Sequence, residues 1–593
     1  MNNLNFLVDV LKESPVFKTL EKNVKPGRTV CASGLSTINK SNIIYALCRL
    51  KGVTAFCLAS DEKEAQTLCN DLSCMGLRAY VYPVRDFNFL DFQSRSHEYE
   101  HARLKVLLKL LNHECDVAIA CVDAAAQLTV PRNVLEQSVI EFEEGRELSL
   151  EKATKALTLL GYERFDAVEG SGQFSLRGGI LDFFMPDSDY PVRCEFWGDE
   201  ITDLSYFDIE TQRRFKKADK ITLSPSTEIV IEDRAALADK IEHKAKLLRS
   251  KNSAKAKEKL FSEAELIRSG AMIANADKFI NQIYDKPESL FDYLDRNTLV
   301  FASEFTAIQE RGKSMDFISN ETLMQGFEDG TLCRGFDRFA LTFNECTEFL
   351  QSHGTIVLEN FVHGSMPIKL SEIISFSTKQ LSAWGGSYKQ LKEDVDGLFT
   401  PESKGVIFAG TERAAKNLCD TFNADGINAV YSEGADKISK GELLVMQGAL
   451  SAGFEYPSQK FFAITYSQVS YRPEKSKKKK KKTGQEIYSL SELAPGDYVV
   501  HNVHGIGVFG GIRKIDTHGV IKDYIKIDYA KGDVLYVPVT QLDMVAKYIG
   551  PKEDSRVKLN RLGSGDWQKA KARVKTSVKD IAKELIELYS QRM

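Results

Sequence analysis

TVCASGLSTINKSNIIYALCRL, from Thr29 to Leu50, is a short apolar strand, a glycine-led loop and an apolar helix in direct succession. The pattern then repeats. VTAFCLAS is the next strand, and DEKEAQTLCNDLSCMG is a helix closed by Gly76. EHARLKVLLKLLNH is a helix with Leu104, Leu107, Leu108 and Leu111 on one stripe, and DVAIACV is a further buried strand. Strands alternating with helices of this length predict an α/β lobe built on a parallel sheet. Inside the opening loop, GLSTINKS matches the phosphate-binding pattern G-x-x-x-x-G-K-[ST] at Gly34, Lys40 and Ser41, but has Asn39 where the second glycine belongs.

That glycine lets the backbone pass close to phosphate without a Cβ, and the lysine reaches the terminal phosphates. Asn39 tolerates a left-handed backbone, yet its side chain is expected to intrude where phosphate should lie. A working site also needs an acid pair after a second strand to hold magnesium. In TLVFASE the first acid position is Ser303, which leaves Glu304 alone. Around ALSAGFEY there is no arginine element for the charge that develops on a transferred phosphate. Gly34, Asn39, Lys40, Ser41, Ser303 and Glu304 therefore mark a degenerate nucleotide loop, expected to be inactive and without cofactor.

The 593 residues are 43% hydrophobic and 27% charged, which predicts several globular domains. A formal net charge of -4 gives no global reason for nucleic-acid binding, so such contact would come from local patches. One patch is the run Lys477–Lys482, read as a solvated linker that is also able to touch DNA phosphates. Eleven cysteines without C-x-x-C pairs fit buried thiols in a reducing cytoplasm rather than disulfides or zinc. No apolar run approaches a membrane span, so a cytoplasmic protein without membrane contact is expected. His501 and His504 form H-x-x-H without the cysteine or carboxylate company that suits metal, and none is expected there.

The α/β rhythm runs over 1–127 and returns over 226–372. Between them, 128–225 reads as an antiparallel α+β module with glycine and proline turns. A second, smaller α/β lobe spans 373–470, a lysine-rich linker 471–490, and a small β-barrel of β-branched and aromatic strands 491–550. Residues 551–593 are a linker and an amphipathic helix with Val574, Val578, Ile581 and Leu585 on one stripe.

Two segments carry a resemblance. FSLRGGILDFFMPDSDYPVRCEFWGDEI resembles the UvrA-binding module shared with UvrB, and GDYVVHNVHGIGVFGG with LYVPV resembles the CarD-like RNA-polymerase-interacting domain. In this order, and along nearly the whole chain, they resemble the N-terminal half of the transcription-repair coupling factor (Mfd) family. The resemblance implies two degenerate RecA-like lobes of UvrB type and the start of the helix that leads into the family's ATP- and magnesium-dependent translocase motor. That motor, which supplies most nonspecific contact with double-stranded DNA, is expected to be absent from this chain.

The implied function is an adaptor for transcription-coupled nucleotide excision repair, binding stalled RNA polymerase and recruiting UvrA. Family contacts to UvrA fall on Arg177, Arg193 and Trp197, with tryptophan standing where the family has phenylalanine. Those to the polymerase β subunit fall on the strand holding Ile512, Arg513, Lys514 and Ile515. Without the resemblance, the arginines read as surface cations, and Trp197 and Ile515 as core residues. The rival readings are an active UvrB-like ATP-dependent helicase, which requires a catalytic Lys40, and a CarD-like transcription regulator.

Overall fold

The computed structural model describes residues 4–85, 98–138, 140–209, 211–248, 253–270, 276–362, 366–381, 388–465, 485–486, 496–501, 504–517, 520–538, 545–547 and 559–561. The lysine run and the C-terminal helix read from the sequence lie outside the described residues, as does most of 86–97. The chain divides into two compact units, Met1–Tyr471 and Arg472–Met593.

In the first unit, the continuous apolar runs become a seven-stranded sheet. Its order is Glu372–Ser375, Val30–Ser33, Thr355–Leu358, Leu299–Ser303, Ala55–Ala59, Val117–Cys121 and Ala79–Tyr82, with every neighbouring pair parallel. The strands Val30–Ser33, Ala55–Ala59, Val117–Cys121 and Thr355–Leu358 are buried at every residue, as a parallel sheet covered on both faces requires. The helix Thr37–Lys51 follows the first strand and is stopped by Gly52, whose φ of 63° suits a residue without a Cβ.

A second, six-stranded sheet runs in the order Lys379–Leu381, Gly453–Tyr456, Phe461–Thr465, Lys404–Phe408, Glu442–Met446 and Ala429–Ser432. Its last four strands are mutually parallel and its first two antiparallel. The two sheets share one hydrophobic core. Phe6 and Leu11 from the N-terminal helix, Ile43, Ile44 and Leu47 from Thr37–Lys51, and Leu68 and Leu72 from Glu62–Cys74 belong to the same cluster as Val406, Phe408, Met446, Phe454 and Phe461. Polar contacts stitch the same seam. The Asp71 carboxylate accepts from the Ser451 N–H at 2.7 Å, the Ser451 hydroxyl at 2.7 Å and the Ser41 hydroxyl at 3.3 Å. Asn42 donates to the Tyr456 hydroxyl at 3.0 Å.

The antiparallel module is a separate six-stranded sheet, ordered Arg214–Lys217, Glu200–Phe207, Val192–Trp197, Ile180–Phe183, Gln173–Arg177 and Glu163–Arg164. A two-stranded pair, Ile140–Glu143 with Lys220–Leu223, accompanies it. It closes around its own core, including Phe142, Phe174, Leu181, Phe183, Val192, Cys194 and Leu204. The chain leaving the module is anchored by a fully buried ion pair, in which Arg103 Nε donates to Glu228 Oε1 at 2.6 Å while its guanidinium lies 4.2 Å from the centre of the Tyr82 ring. All eleven cysteines are free thiols, and burial pushes Cys31, Cys48 and Cys346 up to about 12.

The second unit is an antiparallel sheet ordered Gln485–Glu486, Val545–Lys547, Tyr498–His501, Gly505–Thr517, Val520–Asp528 and Val534–Pro538. Val499, Phe509, Ile525, Ile527 and Val537 form its core. Among the described residues no helix is long and apolar enough to cross a membrane.

The seam between the two α/β sheets is pH-sensitive in a definite direction. Burial raises Asp71 to about 6, against hydrogen bonds from Ser451 and Ser41 that favour the charged form. A carboxyl raised above its unfolded value contributes stability that is lost as pH rises through the folded pKa. The thermal stability of the parent is therefore expected to fall relative to Asp71→Asn as pH rises from about 4 to about 7, by about 1–3 kcal/mol. Parallel pH profiles of the two chains would refute this.

Candidate functional site

At Gly34–Ser41 the chain folds differently from a phosphate-binding loop. The helix begins at Thr37, so Asn39 is a helical residue and takes no left-handed conformation. Its amide oxygen accepts from the Ser36 hydroxyl at 2.6 Å, and the residue is completely buried. The sequence reading placed the Asn39 side chain across a phosphate cradle. Instead, Thr37, Ile38 and Asn39 are wound into the first helical turn. The backbone donors of the loop are also engaged, with the Gly34 N–H on the Asn360 carbonyl at 3.2 Å and the Leu35 N–H on the Glu359 carbonyl at 3.1 Å. Gly34 has a φ of 79°, and a Cβ there would lie 2.2 Å from the Phe376 carbonyl oxygen, so the chain at 376 lies directly over the loop.

Lys40 is 1% exposed and is held by its own protein. Its Nζ donates to Glu304 Oε1 at 2.5 Å, Ser303 Oγ at 2.9 Å and Glu64 Oε1 at 3.4 Å. Ser303, in the position of a magnesium-binding acid, donates to Glu64 at 2.6 Å. Burial alone would raise Glu64, but Lys40, Ser303 and Ser60 together bring it below the usual carboxylate range. Beside this cluster the buried Glu359 accepts the Phe305 N–H at 2.8 Å and is raised to about 7, first by burial and then by the Glu304 charge. Ser41 is turned away, toward Asp71. The sequence reading found Lys40, Ser303 and Glu304. It missed Glu64 and Glu359, which lie far away in sequence and meet the lysine only through the parallel register.

The outer face of the antiparallel module carries a different chemistry. The strand Val192–Trp197 alternates, with Val192, Cys194 and Phe196 buried and Trp197 82% exposed, which removes the alternative that Trp197 is a core residue. Trp197 begins the hairpin that pairs it with Glu200. Gly179 packs so closely beneath the preceding residue that a Cβ would lie 2.7 Å from the Phe196 carbonyl oxygen. Arg177 and Arg193 converge on one carboxylate, that of Asp182, which is 1% exposed. Arg193 Nε and Nη2 donate to its two oxygens at 2.7 and 2.8 Å, and Arg177 Nη2 donates to Oδ2 at 2.8 Å. The sequence pointed to both arginines but not to Asp182, whose place between them follows from the pairings Asp182 with Arg193 and Arg177 with Ile180.

In the second unit, Gly505–Thr517 pairs on one side with Val520–Asp528 from Val508 onward, and on the other with Tyr498–His501 only as far as Val508. The register shifts between Phe509 and Ile512, where Gly511 has a φ of 91°. Beyond this bulge, Ile512, Arg513, Lys514 and Ile515 form the arm of a hairpin paired, among the described residues, along one edge only. Arg513 is exposed, whereas the side chains of Ile512, Lys514 and Ile515 lie outside the described residues. At the base of the sheet, His501 Nδ1 accepts the His504 N–H at 3.3 Å and the two rings lie 4.9 Å apart. Burial, and then the neighbouring His504, lower His501 to about 4.

The last two of these sites fall within two defined classes of module. Residues 140–229 match the UvrB interaction domain, and residues 493–549 match the CarD-like/TRCF RID domain. Along nearly its whole length the chain is similar to transcription-repair-coupling factors. It is 30% identical to that of Bacillus subtilis (strain 168) over 98% of this chain and 50% of the relative. It is 29% identical to that of Staphylococcus haemolyticus (strain JCSC1435) over 86% and 44%, and 26% identical to that of Staphylococcus aureus (strain MRSA252) over 99% and 51%. The chain spans about half the length of the curated relatives it matches, and the resemblance read from its motifs holds across that span.

Removing Lys40 leaves Glu64 and Glu304 facing each other, so Lys40→Ala is expected to lower stability in denaturant melts by about 2–4 kcal/mol. An unchanged midpoint would show that the cluster holds no net charge pairing. His501, depressed in the folded state, contributes stability that is present above its unfolded pKa and lost as pH falls from about 6.5 toward about 4. Pulse proteolysis read on peptides from 496–538 should show the second unit weakening by about 2–3 kcal/mol over that window. The weakening should be absent in His501→Gln.

Proposed function

We propose that this chain is the adaptor portion of a transcription-coupled nucleotide excision repair factor, with one surface for UvrA and another for the β subunit of RNA polymerase. The observation that carries the reading is Trp197. A tryptophan left 82% exposed and an arginine left half exposed on the same sheet, within a UvrB interaction domain, make a surface suited to a partner. Large aromatics and arginines dominate the energetics of such contacts. The hairpin arm Ile512–Ile515 supports the second contact, because an edge paired on one side offers backbone donors and acceptors to an incoming strand.

The two α/β sheets are read as degenerate RecA-like lobes of UvrB type that serve as scaffold. Lys40 bound to Glu304, Ser303 and Glu64, the loop amides spent on carbonyls, and a core shared between the lobes all argue against ATP turnover by this chain and against an active helicase. The ATP- and magnesium-dependent work, and most contact with double-stranded DNA, belong in this reading to the family's motor.

The chain should retain UvrA and the polymerase β subunit independently in binding assays. Arg177→Ala and Trp197→Ala should each weaken UvrA at least tenfold, about 1.4 kcal/mol, while sparing the polymerase. Ile515→Pro, which disrupts the regular backbone of the arm, should do the reverse. Retention of neither partner, or ATP turnover with DNA that disappears in Lys40→Ala, would overturn the reading.

A further inference from the structure

The two arginines on the outer face of the UvrB interaction domain are not equivalent. Arg193 spends its guanidinium on the protein. Nε and Nη2 grip both oxygens of Asp182, Nη1 donates to the Gln212 carbonyl at 3.1 Å, and Nη2 also reaches Gln212 Oε1 at 3.1 Å. The plane lies 4.4 Å from the centre of the Phe207 ring, and the side chain is 13% exposed. Arg177 makes a single bond to the same carboxylate and its side chain is 51% exposed. A planar fork gripped on several sides and backed by an aromatic ring presents little to a partner, whereas one tethered at a single nitrogen keeps donors facing outward.

We infer that Asp182 is a positioning residue that orients Arg177 toward an acidic group on the partner, and that Arg193 is its brace rather than a contact. This rests on the adaptor reading for the identity of the partner, UvrA. A carboxylate that is almost wholly buried between two cations fixes where both can sit, because neither can leave without stranding a charge away from water. Phe207 and Gln212 fix Arg193, Arg193 fixes Asp182, and Asp182 fixes Arg177. The partner then meets Arg177 and Trp197, a cation and a large apolar plate on one sheet. The matching surface is a carboxylate next to an apolar pocket.

The experiment combines a chemical readout without partner and a kinetic readout with it, both on the whole chain. Phenylglyoxal labelling with peptide mapping should modify Arg177 at least tenfold faster than Arg193 in the parent. In Asp182→Asn, Arg177 should label faster still while Arg193 stays slow, held by Gln212 and Phe207, and an unchanged Arg177 rate would overturn the positioning role of Asp182. Equal rates in the parent would overturn the brace assignment whether or not UvrA binds.

With UvrA, Arg177→Ala should slow association and speed dissociation. Asp182→Asn should speed dissociation about tenfold without slowing association, since the face gains net positive charge. Arg193→Ala in the Asp182→Asn background should add less than threefold. A full additive loss there would make Arg193 a contact in its own right and overturn the inference. If UvrA binds to none of the chains, the adaptor reading fails, while the labelling rates still decide whether Asp182 holds the two arginines.

Discussion

The first unit depends on burial of the helix Thr37–Lys51, in which every residue from Ile38 to Cys48 is withdrawn from solvent. In a lone α/β layer such a helix would bury one stripe and show the other to water. Here the parallel sheet covers one side, and the second sheet, with the N-terminal helix, covers the other. Buried polar groups on the helix then need partners inside. Lys40 finds Glu304, Ser303 and Glu64, Ser41 finds Asp71, and Asn42 finds Tyr456. The Lys40 cluster ties the helix to its own sheet, while Asp71, through Ser451, and Asn42, through Tyr456, join it to the second.

This constraint gives the scaffold a different mechanical character from a pair of lobes that close on a ligand. Closure needs a cleft whose walls separate at modest cost, whereas a continuous core makes separation as expensive as unfolding part of the unit. The surfaces proposed for partners lie elsewhere. One is the outer face of a sheet with its own core, and the other is a hairpin arm in the second unit. Each can be altered by substitution without disturbing the α/β sheets.

Much of this was legible in the sequence. Uninterrupted apolar runs such as DVAIACV and TLVFASE marked buried strands of the parallel sheet. What was not legible depended on register between distant segments. Asp182 in GGILDFF looks like an ordinary strand acid until the pairing sets it between two arginines. Glu64 begins as one of several acids in a helix's first turn, and only the fold brings it to Lys40. The shared core could not be read either, because the apolar side of Thr37–Lys51 does not reveal which sheet will cover it. The helical start at Thr37 was concealed by the near-match to a loop motif, which drew attention to the residues that fit and away from Asn39.

The hairpin arm beyond Gly511 has a further consequence for how the protein behaves in a crowded solution. A strand edge open to a partner is equally open to any other strand, including the same arm on a neighbouring molecule. The sequence of this arm includes Arg513, which is exposed, and Lys514, with Lys522 and Asp523 on the strand that pairs with it. Cations on an exposed edge make indiscriminate pairing costly while leaving the backbone available to a surface that supplies compensating charge. Selectivity and solubility are thus the same property of one short segment, and a substitution that neutralised it would put both at risk together.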